Sequence, residues 1–281
     1  MTPIVSSEWL AAHLDDPDLR LLDASWYMPA EQRCAASEFL KAHIPGAQFF
    51  DVDEVADPDT PLPHMAPSPE RFARLVGDLG IGNHHHVVFY DQKGLFSAGR
   101  GWWLFRLFGH QRVSVLDGGL PKWLAEGRSS ERGPVDAVTV ADYRPALRAT
   151  LLRGLGDMLA NLQSQQELVL DARSRGRFDG SAPDPRPSLP SGHIPGSRSL
   201  PYGELLNPDG TLLAVDALRA KFVAAGVDGS RPLVCSCGSG LTATVLALGL
   251  EVAGLGSAAV YDGSWTEWAA QPDTPKASGA A

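Results

Sequence analysis

Cysteine is scarce in this chain. It has three in 281 residues, Cys34, Cys235 and Cys237, too few and too odd in number for a disulfide framework. Sparse thiols suit a reducing compartment. Positive charge is also short: 24 Lys and Arg stand against 33 Asp and Glu, a net charge of −9. That argues against nonspecific binding to nucleic acid and against docking on anionic membranes. A local group of arginines can still hold a small anion. No apolar run approaches the ~18 residues of a membrane span. The acidic N-terminus, MTPIVSSEWLAAHLDDPDLR, lacks the layout of a signal peptide and the composition of a transit peptide. A cytosolic enzyme is the expectation. Hydrophobic content of 44% with 20% charged residues is ordinary for a globular protein.

What is present is a repetition. LRLLDASW (19–26) and ELVLDARS (167–174) are apolar runs closing on Leu-Asp-Ala. Each is followed by His-Ile-Pro-Gly, at 43–46 and 193–196, then by a helical pattern ending in Gly, ERFARLVGDLGIG or DALRAKFVAAGVDG. Next come an apolar strand, HVVFYD (86–91) or PLVCSC (232–237), and a helix, near Gly101–Phe108 or Thr242–Ala253. VSVLDGGLPKWLAEG (113–127) matches AAVYDGSWTEWAAQ (258–271). An offset close to 150 residues is duplication of a whole domain, not a solenoid period. The expected division is residues 1–128 as a first domain, 129–149 as a linker rich in Arg, Ser, Gly and Pro at its start, and 150–281 as a second domain. Short apolar strands alternating with helical patterns predict α/β domains around mostly parallel central sheets flanked by helices.

Ligands of such sheets bind outside the carboxyl ends of the strands. Cys237 stands at one of these ends, in RPLVCSCGSGLTATVLALGL, where strand, Gly-bearing loop and helix start follow one another. The matching residue of the first half is Asp91. The first domain is therefore expected to be inactive and to wall the site, and the second to be catalytic. The loop is a poor place for an inert core thiol. A free Cys titrates near ~8.5, and a helix N-terminus lowers that value. The backbone N–H groups from Gly238 through Ser239, Gly240, Leu241 and Thr242 to Ala243 are expected to curl around the sulfur as an anion nest, with Gly238 and Gly240 letting the backbone close. Cysteine-dependent phosphatases use such a loop with Arg six residues after the Cys; here that residue is Ala243. Cys235 lies within the apolar strand and reads as a buried structural thiol. No second Cys or His pair accompanies it, so Cys-Ser-Cys is not a metal site. Cys34 has no motif around it.

With these residues in view, the chain resembles the two-domain sulfurtransferases of the rhodanese superfamily over roughly residues 4–271. The resemblance is carried by LLDASWYMP, HIPGAQFFDVD, VSVLDGGLPKW, GHIPGS, CGSGLTA and VYDGSW. It implies two tandem rhodanese-like domains, the second active through a persulfide on Cys237. CGSGLTA is similar to the loop of the members that use 3-mercaptopyruvate, whereas thiosulfate-using members carry basic residues there. The implied reaction moves sulfur from 3-mercaptopyruvate to a thiol, such as thioredoxin or a small thiol, or to cyanide, and releases pyruvate. No metal or organic cofactor is implied. Arginine is the natural clamp for a planar carboxylate, and the family's substrate arginines match Arg177 of GRF and Arg186 of the PR before GHIPG. In the same way Asp53 and His64, from FFDVDEVADPDTPLPHM, are implied to approach the Cys from the first half. Ser239, His64 and Asp53 then form a proposed proton relay. A thiosulfate:cyanide sulfurtransferase is the nearest rival, disfavoured because the loop has no Lys or Arg for a dianion. A non-catalytic persulfide carrier is the rival of another class; it needs no carboxylate clamp.

Several conspicuous residues are expected to be structural. Arg173 and Arg175 are expected on the surface. His84, His85 and His86 are expected to form a solvated loop, because adjacent strand residues face opposite ways and cannot converge on one ion. Trp102, Trp103, Trp265 and Trp268 are expected in the core. His43 and His193, present in both halves, are expected to fix turns.

Overall fold

The computed structural model describes residues 2–279. The chain divides into two compact units. One takes the residues up to Pro58, Ala66–Arg148 and Asn207–Leu212; the other takes Asp59–Met65, Ala149–Leu206 and the residues from Leu213 onward. Among the described residues no helix is long and apolar enough to cross a membrane.

Each unit is built on a five-stranded sheet. In the first, β1 (Ile4–Val5), β2 (Leu19–Asp23), β3 (Gln48–Phe49), β4 (His86–Tyr90) and β5 (Val113–Leu116) lie in the order β1-β5-β4-β2-β3. In the second, β6 (Leu152–Arg153), β7 (Leu168–Asp171), β8 (Arg198–Ser199), β9 (Leu233–Ser236) and β10 (Ala259–Tyr261) repeat that order as β6-β10-β9-β7-β8. All pairings between these strands are parallel. The central strands β4 and β9 are buried along their whole length. Burial from both faces explains why they read as unbroken apolar runs rather than as alternating ones.

The two helices expected after the central strands span Ala98–Leu107 and Ala243–Val252. Helix Pro69–Asp78 starts where Ser68 accepts from Arg71 N–H and Pro69 occupies the first turn. Trp102, Trp103, Trp265 and Trp268 are buried, as expected. The two HIPG histidines do the same job in each unit. His43 Nδ1 lies 2.8 Å from Phe39 O and its ring stacks on Phe39; His193 Nδ1 lies 2.9 Å from Phe178 O and its ring stacks on Phe178.

Residues 129–148 are laid along the first unit. His43 and Glu131 exchange backbone hydrogen bonds, and Ala141 and Ala146 N–H donate to Gly77 O and Phe108 O. Tyr143 is buried against Phe72 and Phe105.

The histidine run departs from expectation. His84 is exposed, but His85 and His86 are buried, and burial holds both rings down to about 4. His85 Nδ1 accepts Gly82 N–H, and His86 Nε2 lies 3.0 Å from Ser114 Oγ. Face alternation also governs only His86, the first residue of β4. His84 and His85 lie in the preceding turn, where their rings come within 3.9 Å, with Asp18 close by.

Candidate active site

β9 ends at Ser236, and Cys237 follows with 1% of its surface exposed. The loop then returns into the helix Ala243–Val252, whose N-cap is Thr242. Only Gly240 of this loop takes a left-handed conformation, φ +73°, a shape that costs glycine nothing. Gly238 is needed for a different reason: a Cβ there would lie 3.1 Å from Arg177 Nη2 and 3.5 Å from Arg186 Nη1. The loop is short of room because two guanidiniums rest against it.

The first unit shows what this loop geometry does with an anion. Asp91, at the position of Cys237, has no exposed surface. Its Oδ2 accepts N–H bonds from Phe96, Ser97 and Ala98 at 2.7–2.9 Å, and its Oδ1 accepts from Lys93 N–H at 2.9 Å. An aspartate thus fills its own nest at the start of the helix Ala98–Leu107, where amide groups lack partners within the helix.

In the second unit one amide of the expected nest is turned elsewhere. Gly240 N–H donates to Ser264 Oγ at 3.1 Å, as does Cys237 N–H. Ser264 Oγ in turn donates to Tyr261 O at 2.7 Å. Trp265 N–H donates to Cys237 O, while Thr266 donates to Gly238 O through both its amide and its hydroxyl. The turn after β10 is therefore a brace under the sulfur loop. Ser264 has φ +49° and is buried; its counterpart in the first unit is Gly119, φ +55°. A serine is thus held in a glycine's conformation while bonded to the loop that carries the thiol. Ser264 was not singled out in the sequence. The available signal was the pairing of LDGGLPKW with YDGSWTEW, where Ser replaces Gly in the copy that carries Cys237.

His64 belongs to this unit as well. It is 2% exposed, with φ +64°. Its Nδ1 lies 3.0 Å from Ser239 Oγ and 3.3 Å from Ser239 O. Two of the four non-glycine residues with positive φ among the described residues, His64 and Ser264, thus bond to one loop. Asp53 lies in the first unit on the short helix Val52–Val55, where Trp26 Nε1 donates to its Oδ2 at 2.9 Å.

The arginines sort into two kinds. Arg177 and Arg186 flank Gly238. Arg177 Nη2 donates to Asp184 Oδ2 at 2.7 Å, and its buried Nε finds no hydrogen-bond partner among the described residues. Arg186 Nη1 stands 3.9 Å from Asp184 Oδ1. Burial lowers the Arg186 pKa, as does Arg177, against the pull of Asp184 and Cys237. Asp184 itself is buried and also accepts Arg186 backbone N–H at 3.0 Å. Arg175 is exposed and pairs with Glu204, as expected of a surface residue. Arg173 corrects that expectation. It is 2% exposed, paired through Nε and Nη2 with Asp171, bonded to Gly192 O, and stacked 4.5 Å from the ring of Trp265. Its charge is buried because β7 supplies the counter-charge and Trp265 the lid.

Cys235 is wholly buried within β9, and burial pushes its thiol well up. Cys34 is exposed in the first unit. One thiol alone combines a strand end, a glycine-bearing loop and two guanidiniums.

Two tandem parallel sheets of identical strand order, with a thiol at the end of one central strand and a carboxylate at the end of the other, define a class of protein. The chain belongs to the rhodanese-like domain family, whose model matches residues 6–126 and 155–271. A thiosulfate/3-mercaptopyruvate sulfurtransferase of Arabidopsis thaliana is 44% identical over 97% of this chain and 77% of its own. The human 3-mercaptopyruvate sulfurtransferase is 43% identical over 94% of this chain and 91% of its own. The crystal structure of Escherichia coli SseA superposes with a TM-score of 0.86 at 38% identity, covering 94% of this chain and 99% of that one. The protein is a sulfurtransferase of the rhodanese fold, an enzyme of small-molecule sulfur donor and acceptor chemistry.

Proposed function

We propose that the enzyme takes sulfur from 3-mercaptopyruvate onto Cys237 and passes it to a thiol or to cyanide. The observation that carries this reading is the pair of guanidiniums, Arg177 and Arg186, within reach of Gly238 next to the thiol. Arg presents parallel donors that match a planar carboxylate, so a donor held there by its carboxylate would present its sulfur to the loop.

The thiolate of Cys237 attacks the donor's sulfur and forms an S–S bond. The C–S bond breaks, and its electron pair leaves on carbon as the enolate of pyruvate. The proton that leaves the donor thiol reaches that carbon, so the step balances without an oxidant or reductant. Ser239 of the loop and His64, whose Nδ1 lies 3.0 Å from the Ser239 hydroxyl, carry the proton. N–H groups of Gly238, Leu241, Thr242 and Ala243 stabilise the persulfide as Asp91 is stabilised in the first unit, and Gly240 supplies the bend. The acceptor, a small thiol, the thiol of a protein such as thioredoxin, or cyanide, then attacks the outer sulfur and frees the Cys237 thiolate. A reducing cytosol suits a cycle that returns to a free thiolate.

The test pairs a product with a mass. Pyruvate release from mercaptopyruvate should exceed thiocyanate formation from thiosulfate, in kcat/KM with cyanide as the common acceptor. Intact mass after donor should rise by one sulfur on Cys237. Cys237→Ser should abolish transfer, while Cys235→Ala and Cys34→Ala retain it. A wild type preferring thiosulfate, or sulfur found on Cys34 or Cys235, would refute the reading.

A further inference from the structure

A loop without Lys or Arg does not by itself turn away a dianion here, because two guanidiniums stand within reach of Gly238. What limits the positive charge is a third group. Asp184 is buried, its side chain 1% exposed, between Arg177 and Arg186. Its Oδ2 accepts from Arg177 Nη2 at 2.7 Å, and its Oδ1 accepts Arg186 backbone N–H at 3.0 Å while standing 3.9 Å from Arg186 Nη1. Two positive charges and one negative leave the clamp with a single net positive charge. We propose that Asp184 sets the charge class of the sulfur donor, matching the arginine pair to a monocarboxylate and holding off compact dianions. The inference rests on the mercaptopyruvate reading for the identity of the monocarboxylate.

The argument is Coulombic. A buried carboxylate beside the donor site repels a bound dianion with twice the energy that it exerts on a monoanion in the same place. If its charge lowers affinity for the monoanion by a factor f, it lowers affinity for the dianion by about f squared. Asp184 also orients Arg177, but losing that orientation weakens a guanidinium's attraction more for the dianion than for the monoanion and so lowers the ratio. A rise in the donor ratio therefore reports the lost charge and not the lost scaffold. Asp184 is a positioning and selectivity residue that acts through the two arginines.

The experiment measures kcat/KM for mercaptopyruvate and for thiosulfate, with cyanide as common acceptor, in the wild type, Asp184→Asn and Asp184→Glu. Asp184→Asn should raise the ratio of thiosulfate to mercaptopyruvate about tenfold or more, even where both values fall. Asp184→Glu keeps the charge and should leave the ratio within about threefold of the wild type. A second arm needs no turnover: in the Cys237→Ser background, calorimetry compares binding of pyruvate, a monoanion, with binding of thiosulfate. Asp184→Asn should there favour thiosulfate by a similar factor. Parallel losses at constant ratio in Asp184→Asn, or an equal shift of the ratio in Asp184→Glu, would overturn the inference. A wild type that releases no pyruvate would instead sink the substrate reading, and the binding arm would still decide the role of Asp184.

Discussion

Ser264 and Gly119 hold corresponding turns of the two units in nearly the same left-handed conformation, yet only the serine reaches into its loop. Its hydroxyl accepts from the amides of Cys237 and Gly240 and donates a hydrogen bond to Tyr261 O. A left-handed non-glycine residue costs roughly 1–2 kcal/mol, whereas each buried donor left without an acceptor costs about 1–3 kcal/mol. Ser264→Gly should relieve the strain but leave both amides unpaired, so on balance it should lose about 2–3 kcal/mol of stability. Its kcat should fall roughly ten- to a hundredfold, because the loop that holds the sulfur loses its brace. Denaturant unfolding beside steady-state kinetics separates these effects. A normal kcat in Ser264→Gly would show that the hydroxyl is dispensable to the loop.

At the scale of single elements, β4 carries a pH liability that β9 does not share. His85, in the turn before β4, and His86, its first residue, are kept neutral by burial, both near 4, against an unperturbed value near ~6.5. The unfolded chain therefore binds protons that the folded chain refuses. The stability held by the neutral rings is fully present above about pH 6.5 and is lost as pH falls toward 4. For His86 this amounts to about 1–3 kcal/mol, the lower figure allowing for solvent screening. Asp23 runs the other way, since burial raises it to about 6; the protonated form that the fold favours adds stability as pH falls through that value. Comparing the wild type with His86→Gln cancels the aspartate. Denaturant unfolding at pH 7, 5 and 4 should show the wild type losing ground to the variant across that window. Equal pH dependence of the two proteins would show that the buried ring is no liability.

At the scale of the whole molecule, each unit borrows a piece of the other half of the sequence. Residues 59–65, from the first half, belong with the second unit, and 207–212, from the second half, belong with the first. A fragment of residues 150–281 would keep Cys237 and both arginines of the clamp but lose His64, which lies 3.0 Å from Ser239 Oγ. Positioned proton transfer is worth about 10²–10⁴ in rate, so mercaptopyruvate turnover by that fragment should fall at least ~100-fold. Turnover close to that of the full chain would remove His64 from the mechanism. The duplication, the parallel sheets and the thiol at a strand end were legible in the sequence, because each is written in contiguous residues and written twice. So was the arginine-rich stretch before the second HIPG, in which the family resemblance pointed to Arg177 and Arg186. The tertiary structure alone decided that Arg173 is buried on Asp171 and Trp265, that His85 and His86 are core residues, that Ser264 braces the sulfur loop, and that Asp184 stands between two guanidiniums. These facts depend on groups that come together only on folding: Ser264 is 27 residues from Cys237, and His64 is 175 from Ser239. Local pattern determines which strands and helices form, whereas a charge or a hydroxyl acquires its role from neighbours that the packed fold selects.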